Sequence, residues 1–415
     1  MKRFLFFLSV IMVTLSSHAQ VVADGYYRVQ NTGSKRYAYL CDNTGFINYT
    51  TQNADVGALQ LWSDIARTYD DPASVMYLTN VAEDHYDIQA QGSGLYQIIG
   101  HSVTVSKQGD NRFLVYASQN GITKYLSDNN QETDVAKGLA GFEGKGQYRL
   151  WSVFPINQTD NYLGITPQFH VDGKHYAAYY VSFPFKKVSS GLKVYYIKKV
   201  DTTYGVAIME EVTSDIIPAG MPVIVECPST SASGNKIMPV TGGASAPTDN
   251  LLGGVYFCNP DRPSSANAGV PFKVATMRTL GVRADGKIGF ISKPDNLTKV
   301  EVNFKEYNCL PANSSYLQVA SGTAAELLMM TQSEFETYLD QLVKVSSITL
   351  DKTTATLVVG DELDLTVTVK PDDAVNKNVT WTSSNAAVAT VENGKVVAKG
   401  RDSQRSLQAS LWCPT

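Results

Sequence analysis

The stretch "LVVGDELDLTVTVKPDDAVNKNVTWTSSNAAVATVENGKVVAKG", residues 357–400, indicates the fold class of this chain. From Leu363 to Val369 apolar and polar residues alternate strictly, so every second side chain points to the same face. A period of two is typical of a β-strand with one buried face. The chain is also rich in tyrosine (23 residues), and Gly, Thr, Ser and Asn interrupt it throughout, as in proteins made of many short strands and turns. We therefore expect an all-β, multidomain protein.

Residues 346–400 closely resemble the group 2 bacterial Ig-like domain, the kind strung along adhesins of the invasin and intimin type. The matching residues are "LVVGDELDLTVTV", Pro371 and Ala374, followed by "VTWTSSNAAVATV" and "NGKVVAKG". The resemblance implies a β-sandwich with Trp381 as the core tryptophan between its sheets. It also implies the usual role of such domains in adhesins, that of a stalk or spacer.

The last fifteen residues, 401–415, lose the alternation and read "RDSQRSLQASLWCPT". The Ig-like pattern calls for further strands at this point. We therefore expect an incomplete, truncated sandwich followed by a tail that is not part of it, as a reading-frame slip or a gene-fragment boundary would produce. A sandwich without its last strands would expose an open sheet edge, which is unfavourable.

The bulk properties favour a folded protein that does not bind nucleic acid. The chain has 415 residues, enough for about two to four domains, and 43% of them are apolar. Its net charge is -4, and no cluster of Lys and Arg offers an electrostatic footprint for nucleic acid. The five cysteines are odd in number and widely spaced, so they are no disulfide framework. A Cys227–Cys258 disulfide and buried free thiols are both open at this stage.

The N-terminus, "MKRFLFFLSVIMVTLSSHAQ", has the pattern of a secretory signal peptide over residues 1–19. A basic start is followed by an apolar run from Phe4 to Leu15 and by small residues before a cleavage point ahead of Gln20. The run is too short for a transmembrane anchor, and no later stretch has about 18 unbroken apolar residues. We expect an exported protein, located outside the cell, on its surface or in the periplasm, with no membrane span in the mature chain.

Residues 20–166 contain an internal repeat. "YLCDN" at Tyr39 returns as "YLSDN" at Tyr125, and "LQLWSD" at Leu59 returns as "YRLWSV" at Tyr148. Two motifs that shift nearly in step indicate duplicated structure. A third copy is either spread over "VMYLTN" and "YDIQAQ" or begins at Asn161.

At these residues the segment resembles the β-trefoil lectins of the ricin-B type, whose repeats carry a "YL" strand and close on Gln-x-Trp. The resemblance implies a carbohydrate-binding domain with glycans or host and cell-surface glycoproteins as partners. Sugars are held by aromatic faces together with amide and carboxylate groups. Residues of these types recur in both copies, although Tyr, Leu and Trp in such repeats also form the core and Asp-Asn also forms turns. The candidate ligand-binding residues are Tyr39, Asp42, Asn43, Gln60, Trp62, Tyr125, Asp128, Asn129 and Trp151.

Residues 167–330 predict a further β-rich, sandwich-like module. Its order of segments, "YAAYYVSFPF", "GLKVYYI" and "IPAGMPVIV", resembles a module of secreted multidomain proteins of gut Bacteroidetes. Residues 331–345 predict a short linker helix, because Phe335, Leu339 and Leu342 have helical spacing and Thr331 or Ser333 can cap its start.

No catalytic pattern stands out. The chain has no H-E-x-x-H and no G-x-S-x-G motif. Glu210, Glu211 and Asp215 could supply a carboxylate pair, but acids on a surface strand are usually solvated. "HVDGKH" places His170 and His175 around Asp172, which permits a metal site, yet an Asp-Gly hairpin turn explains the stretch without one.

These patterns favour a non-catalytic, adhesin-like or carbohydrate-binding surface protein without a cofactor or metal. Two alternatives stay open: an accessory region of a secreted hydrolase, such as one that degrades polysaccharides, and a structural surface protein.

Overall fold

A computed structural model describes the central part of the chain in twelve segments. They divide into two compact units, formed by residues 1–199 with 209–329 and by residues 200–208 with 330–415. The predicted signal peptide (1–19) and the predicted tail (401–415) lie outside the described residues and stay predictions. The described residues are 20–41, 58–62, 69–92, 102–119, 122–128, 140–141, 146–243, 245–256, 270–302, 305–342, 344–374 and 377–400.

The N-terminal part of the first unit is a closed ring of six strands. Strand β1 pairs with β4 on one side and with β11 on the other, and the ring continues through β5, β6 and β7. Closure leaves no unpaired edge among these six strands. The strands of this region are β1 (Gly25–Asn31), β2 (Tyr37–Cys41), β3 (Ala58–Trp62), β4 (Met76–Ala82), β5 (His85–Ala90), β6 (Val103–Gly109), β7 (Arg112–Gln119), β8 (Ile122–Tyr125), β9 (Ser127–Asp128), β10 (Ala140–Gly141) and β11 (Leu150–Pro155).

The ring has three repeats in chain order. Strands β1 and β4 flank the hairpin β2–β3, β5 and β6 form the second pair, and β7 and β11 flank the short strands β8 to β10. This is the plan of a β-trefoil, so the predicted trefoil-like fold is confirmed. Of the stretch proposed for a third copy, "YDIQAQ" lies in β5, at the start of the middle repeat, whereas "VMYLTN" lies in β4, the last ring strand of the first repeat. The other alternative, a repeat that begins at Asn161, is wrong, because Leu163–Gly164 pairs with Lys236–Pro239 in another sheet.

The interior of the ring is filled by apolar side chains that alternate along its strands, as a half-buried strand requires. In β4 and β5, for example, every second residue at the start of the strand is buried. These side chains form one cluster, which includes Val29, Leu78, Ile88, Val105, Val115 and Trp151.

The remainder of the first unit is also β-structure, as predicted for the second module. A four-stranded sheet has the order β12-β20-β15-β18, a ten-stranded sheet has the order β13-β14-β19-β16-β17-β27-β23-β22-β26-β21, and β24 pairs with β25. The strands are β12 (Leu163–Gly164), β13 (Phe169–Val171), β14 (Lys174–Tyr179), β15 (Phe185–Lys187), β16 (Lys193–Asp201), β17 (Val206–Glu211), β18 (Ile216–Ile217), β19 (Val223–Cys227), β20 (Lys236–Pro239), β21 (Leu252–Val255), β22 (Met277–Val282), β23 (Ile288–Ile291), β24 (Thr298–Val302), β25 (Lys305–Cys309), β26 (Ser314–Gln318) and β27 (Glu326–Thr331).

A polar network ties the ring to this module. The Asn313 side-chain amide donates to Gln91 Oε1 at 2.9 Å and to the Tyr180 carbonyl at 3.0 Å. The Ser182 hydroxyl donates to the Gln91 carbonyl at 2.6 Å. Gln91 is buried, and burial makes such hydrogen bonds costly to lose. The ring and the module therefore behave as parts of one compact unit.

The second unit contains helix α1 (Gln332–Gln341), which confirms the short helix predicted within residues 331–345. The Thr331 hydroxyl accepts from the backbone N–H of Glu334, and the Glu334 carboxylate accepts from the backbone N–H of Thr331. This reciprocal capping fixes the start of the helix. Phe335, its buried residue, packs edge-on against the ring of Tyr204 at 5.9 Å.

The Ig-like part of this unit has two small sheets, β28–β30 and β29–β32–β31. Their strands are β28 (Ser347–Leu350), β29 (Glu362–Asp364), β30 (Val367–Lys370), β31 (Ala389–Glu392) and β32 (Lys395–Ala398). The predicted alternation from Leu363 to Val369 is confirmed, because the apolar residues are half-buried and the polar residues between them are exposed. Trp381 is half-buried, and a Cβ added at Gly394 would lie 3.3 Å from its indole ring.

Candidate functional site

Three predicted ligand-binding residues of the first repeat lie in the hairpin β2–β3: Tyr39 in β2, and Gln60 and Trp62 in β3. In its backbone register Tyr39 is opposite Gln60, and Trp62 is opposite Tyr37. Asp42, Asn43 and, in the third repeat, Asn129 lie outside the described residues.

The two tryptophan motifs lie in strands with different partners. Trp62 belongs to β3, which pairs with β2 in the hairpin, whereas Trp151 belongs to β11, which pairs with ring strands β1 and β7. In the first repeat, the strand equivalent to β11 of the third repeat is β4, not β3. The similarity of "LQLWSD" and "YRLWSV" is therefore not a structural equivalence.

Trp151 is a core residue. Its side chain is fully buried in the ring, and its indole Nε1–H donates to the Leu126 carbonyl at 2.9 Å. A buried indole with a satisfied N–H is typical of a tryptophan that holds a core together. Neither face is open to a sugar, so the core alternative left open by the sequence applies at this position.

Asp128 is held in a buried ion pair. Its Oδ2 accepts from Arg36 Nε at 3.1 Å, and its Oδ1 accepts from the Nη2 atom of the same guanidinium. Both side chains are almost completely buried. Such a fork-to-carboxylate pair links the segment before β2 to β9, and the carboxylate is engaged inside the fold rather than presented to a ligand.

Among the predicted residues whose side chains the structure describes, Tyr125 is the aromatic one that is partly exposed. It lies opposite Tyr116 across strands β7 and β8, with ring centres 5.4 Å apart. The Arg149 guanidinium lies 4.7 Å from the centre of the Tyr125 ring, within the range of a cation–π contact. All three side chains are half-buried. We refer to Tyr116, Tyr125 and Arg149 as the tyrosine cluster.

Sequence reasoning missed two members of the tyrosine cluster. Arg149 stands two residues before Trp151, where Gln60 stands before Trp62, so its position in the motif was a usable signal. Tyr116 carries no such signal, because it reaches Tyr125 only through the register of the β7–β8 hairpin.

A second aromatic pair, in contrast to the tyrosine cluster, is already in contact with other side chains. Tyr69 and Tyr162 stack at 4.7 Å, Arg28 lies 5.4 Å from the Tyr69 ring centre, and Lys236 lies 4.6 Å from that of Tyr162. Burial lowers the pKa of Arg28 to about 10, which still leaves it charged at neutral pH. Its Nη1 donates to Asn161 Oδ1 at 2.7 Å. These rings are already engaged with each other and with cations.

The acidic residues raised by the sequence do not converge. Glu210 and Glu211 are adjacent in β17, so their side chains point to opposite faces. Both are exposed, as is Asp215, and Glu210 pairs with Lys198 at 2.6 Å. This arrangement is that of solvated surface acids.

Two further predictions concern the cysteines and the membrane spans. Cys227 is a free, buried thiol, and Cys258 lies outside the described residues. Burial raises the pKa of the Cys227 thiol to about 12. Within the described part of the chain, no helix is both long and apolar enough to cross a membrane.

Comparisons with known proteins agree with the Ig-like sandwich. Residues 344–401 match the bacterial Ig-like domain (group 2), so this part of the chain is such a domain. The chain is 51% identical over 55 residues to a minor capsid protein of Enterobacteria phage T3 and 43% identical over 60 residues to an Ig-like virion protein of Serratia phage KSP90. These matches cover 13% and 14% of this chain and span 12% and 23% of those relatives.

Two solved structures are similar to larger parts of the chain. The designed three-fold symmetric protein ThreeFoil is 15% identical, with a TM-score of 0.24, and is covered completely by 32% of this chain. A mosquitocidal holotoxin is 16% identical, with a TM-score of 0.27, over 74% of this chain and 33% of the toxin chain. Both TM-scores are low, and the trefoil assignment above rests on the strand pairings.

Proposed function

We propose that this protein is a non-catalytic structural or surface protein in which the Ig-like domain is a spacer and the trefoil ring binds carbohydrate. The Ig-like match at residues 344–401 supports the first half of this proposal. Two relatives similar to this chain over 55 and 60 residues are named a minor capsid protein and an Ig-like virion protein. Export through residues 1–19 belongs to the same proposal.

The single observation that favours a carbohydrate site is the tyrosine cluster. Tyr116 and Tyr125 are half-buried aromatic residues whose rings lie 5.4 Å apart, and the Arg149 guanidinium lies 4.7 Å from the centre of the Tyr125 ring. A sugar offers an apolar C–H face that can stack on such rings. In a trefoil this cluster lies in the third repeat, between the two ring strands β7 and β11.

A second candidate function is that of a structural surface protein without a ligand. It is favoured by the burial of Trp151 and by the ion pair of Asp128, because two of the residues that suggested a sugar site serve the fold. The two candidates differ in one measurable property, which is saturable binding to a glycan.

The test is binding of the full-length mature protein to a glycan array, compared with Tyr125→Ala and Tyr116→Ala. We expect a defined set of glycans to bind and each substitution to weaken binding about tenfold or more, which corresponds to about 1.4 kcal/mol. The matched control is Tyr338→Ala, a half-buried tyrosine of the second unit, which should leave binding unchanged.

Binding that survives in both variants would move the site away from the tyrosine cluster. An array without any saturable glycan would refute carbohydrate binding and leave the structural candidate.

A further inference from the structure

The hairpin β13–β14 brings two histidines together. Asp172 and Gly173 form its two-residue turn with positive φ angles of 51° and 74°, the conformation of a type I′ turn. The turn fixes a register in which His170 is opposite His175. The pair His170–His175 comes directly after the pair that flanks the turn. It is a non-hydrogen-bonded pair, in which the cross-strand side chains of an antiparallel hairpin lie closest. The predicted Asp-Gly turn is confirmed, and it places both imidazoles on one face.

The two imidazoles meet through their Nδ1 atoms. These atoms are 2.9 Å apart, and the rings are nearly perpendicular, at 73°, with centres 4.9 Å apart. In the neutral pair one Nδ1–H donates to the lone pair of the other Nδ1. Two nitrogen ligands about 2.05 Å from a tetrahedral metal ion would be about 3.3 Å apart. The separation of the two Nδ1 atoms is therefore within a few tenths of an ångström of that of two ligands of one ion, and a turn of the rings would direct both lone pairs at it.

The surroundings leave the histidine pair accessible to solvent. His170 is exposed and His175 is half-buried. Lys174 directly precedes His175 in β14, so its side chain points to the opposite face of the sheet. There its Nζ lies 3.5 Å from Glu226 Oε2. The remaining charged group of the hairpin, Asp172, is exposed in the turn.

The register also places Cys227 beside His175. Its thiol is buried in the apolar cluster of the module, and burial keeps it protonated at neutral pH. A protonated thiol is a poor metal ligand. Within the described part of the chain no group of three or more His, Cys, Asp and Glu side chains is close enough to hold an ion. Water would complete the coordination of an ion at the histidine pair.

We propose that His170 and His175 form a binding site for a divalent transition-metal ion, held by the two Nδ1 atoms and completed by water. Imidazole nitrogen suits Zn²⁺, Ni²⁺ and Cu²⁺, and Cu²⁺ should bind most tightly of the three. On binding, the proton between the rings moves to Nε2 of the donor imidazole, so both rings stay neutral and no net proton is released.

The test is isothermal titration of the full-length mature protein with Zn²⁺ and with Cu²⁺, compared with His170→Gln, His175→Gln and the double variant. Removal of an outer partner of a metal ligand already costs about 10–100-fold in affinity, and loss of a ligand should cost no less. We expect each single variant to bind at this site at least about tenfold more weakly, and the double variant to bind one ion fewer per chain.

The matched control is His85→Gln, because His85 lies beside Asp84 at 2.9 Å and not beside a second imidazole. This variant should keep the stoichiometry and affinity of the wild type. Circular dichroism of each variant excludes loss of the fold as the cause of a change. An unchanged ion count in the folded double variant, or no saturable uptake of either metal by the wild type, would overturn the proposal.

Discussion

Replacing Trp151 with phenylalanine separates a core role from a sugar-stacking role, because the substitution keeps an aromatic ring. Trp151 is fully buried, and its indole N–H satisfies the Leu126 carbonyl. Phenylalanine leaves that carbonyl unpaired, at a cost of about 1–2 kcal/mol, and its smaller side chain loses packing contacts worth about 1–2 kcal/mol more. We expect the six-stranded ring to lose about 2–4 kcal/mol of local stability.

The measurement is native-state hydrogen exchange by mass spectrometry, followed in peptides that cover β1 and β11. A single unfolding free energy is not defined for a chain with several domains, whereas exchange reports the stability of the ring itself. Asn31 pairs with Trp151 across these strands, so its peptide should lose protection first. The control is Trp381→Phe in the Ig-like domain, where the half-buried indole should leave exchange in β1 and β11 unchanged. Unchanged protection of the ring in Trp151→Phe, together with loss of glycan binding, would refute the core assignment.

Three further changes test other parts of the same unit. Asp128→Asn removes the charge opposite the buried Arg36 guanidinium and should cost about 3–5 kcal/mol of local stability, seen as faster hydrogen exchange in peptides that cover β2 and β9; unchanged exchange there would contradict the ion-pair role. Gly254→Ala would place a Cβ 2.2 Å from the Tyr180 ring, so we expect a loss of about 1–3 kcal/mol that Tyr180→Ala partly relieves in the double variant. Cys227, with its pKa raised to about 12, should carry on the order of a thousandfold less thiolate at pH 8.5 in the folded protein than in the unfolded one, so peptide mapping should find it alkylated only after denaturation. Because the unfolded thiol loses its proton first, its contribution to stability should fall as the pH rises above about 8.5.

The elements that the sequence predicted correctly are those defined by neighbouring residues. Helix α1 begins at Gln332, because its N-cap Thr331 and Glu334, which form the capping box, are only three positions apart in the sequence. The alternation from Leu363 to Val369 is equally local, and the exposure of those residues follows it. A short pattern fixes such features because the residues that satisfy each other are close in the chain.

The trefoil ring was only partly predictable, because its closure depends on pairs far apart in sequence. Strand β1 pairs with β11, so Asn31 is opposite Trp151, and no pattern within either strand specifies the other as its partner. Similar letters around Trp62 and Trp151 suggested equivalent positions, yet one strand lies in a hairpin and the other in the ring. Motif similarity thus identified repeated structure without identifying which strands correspond.

The candidate binding site shows the same limit at the level of single residues. Tyr125 was predicted from its motif, whereas Tyr116 joins it through strand register and Arg149 through the fold of the turn before β11. Residue type could not distinguish Trp151 and Asp128, which serve the fold, from Tyr125, which faces solvent. Burial decides between these roles, and burial is a property of the whole domain.

The histidine pair shows that a structural explanation of a motif need not exclude a chemical one. In the sequence, the Asp172-Gly173 turn and a metal site competed to explain "HVDGKH", and turn chemistry was sufficient. A two-residue turn, however, sets residues five apart opposite each other, and His170 and His175 are five apart. The turn therefore brings the two Nδ1 atoms to 2.9 Å. Replacing Gly173 with a β-branched residue, which the φ of 74° disfavours, should weaken metal binding without touching either ligand.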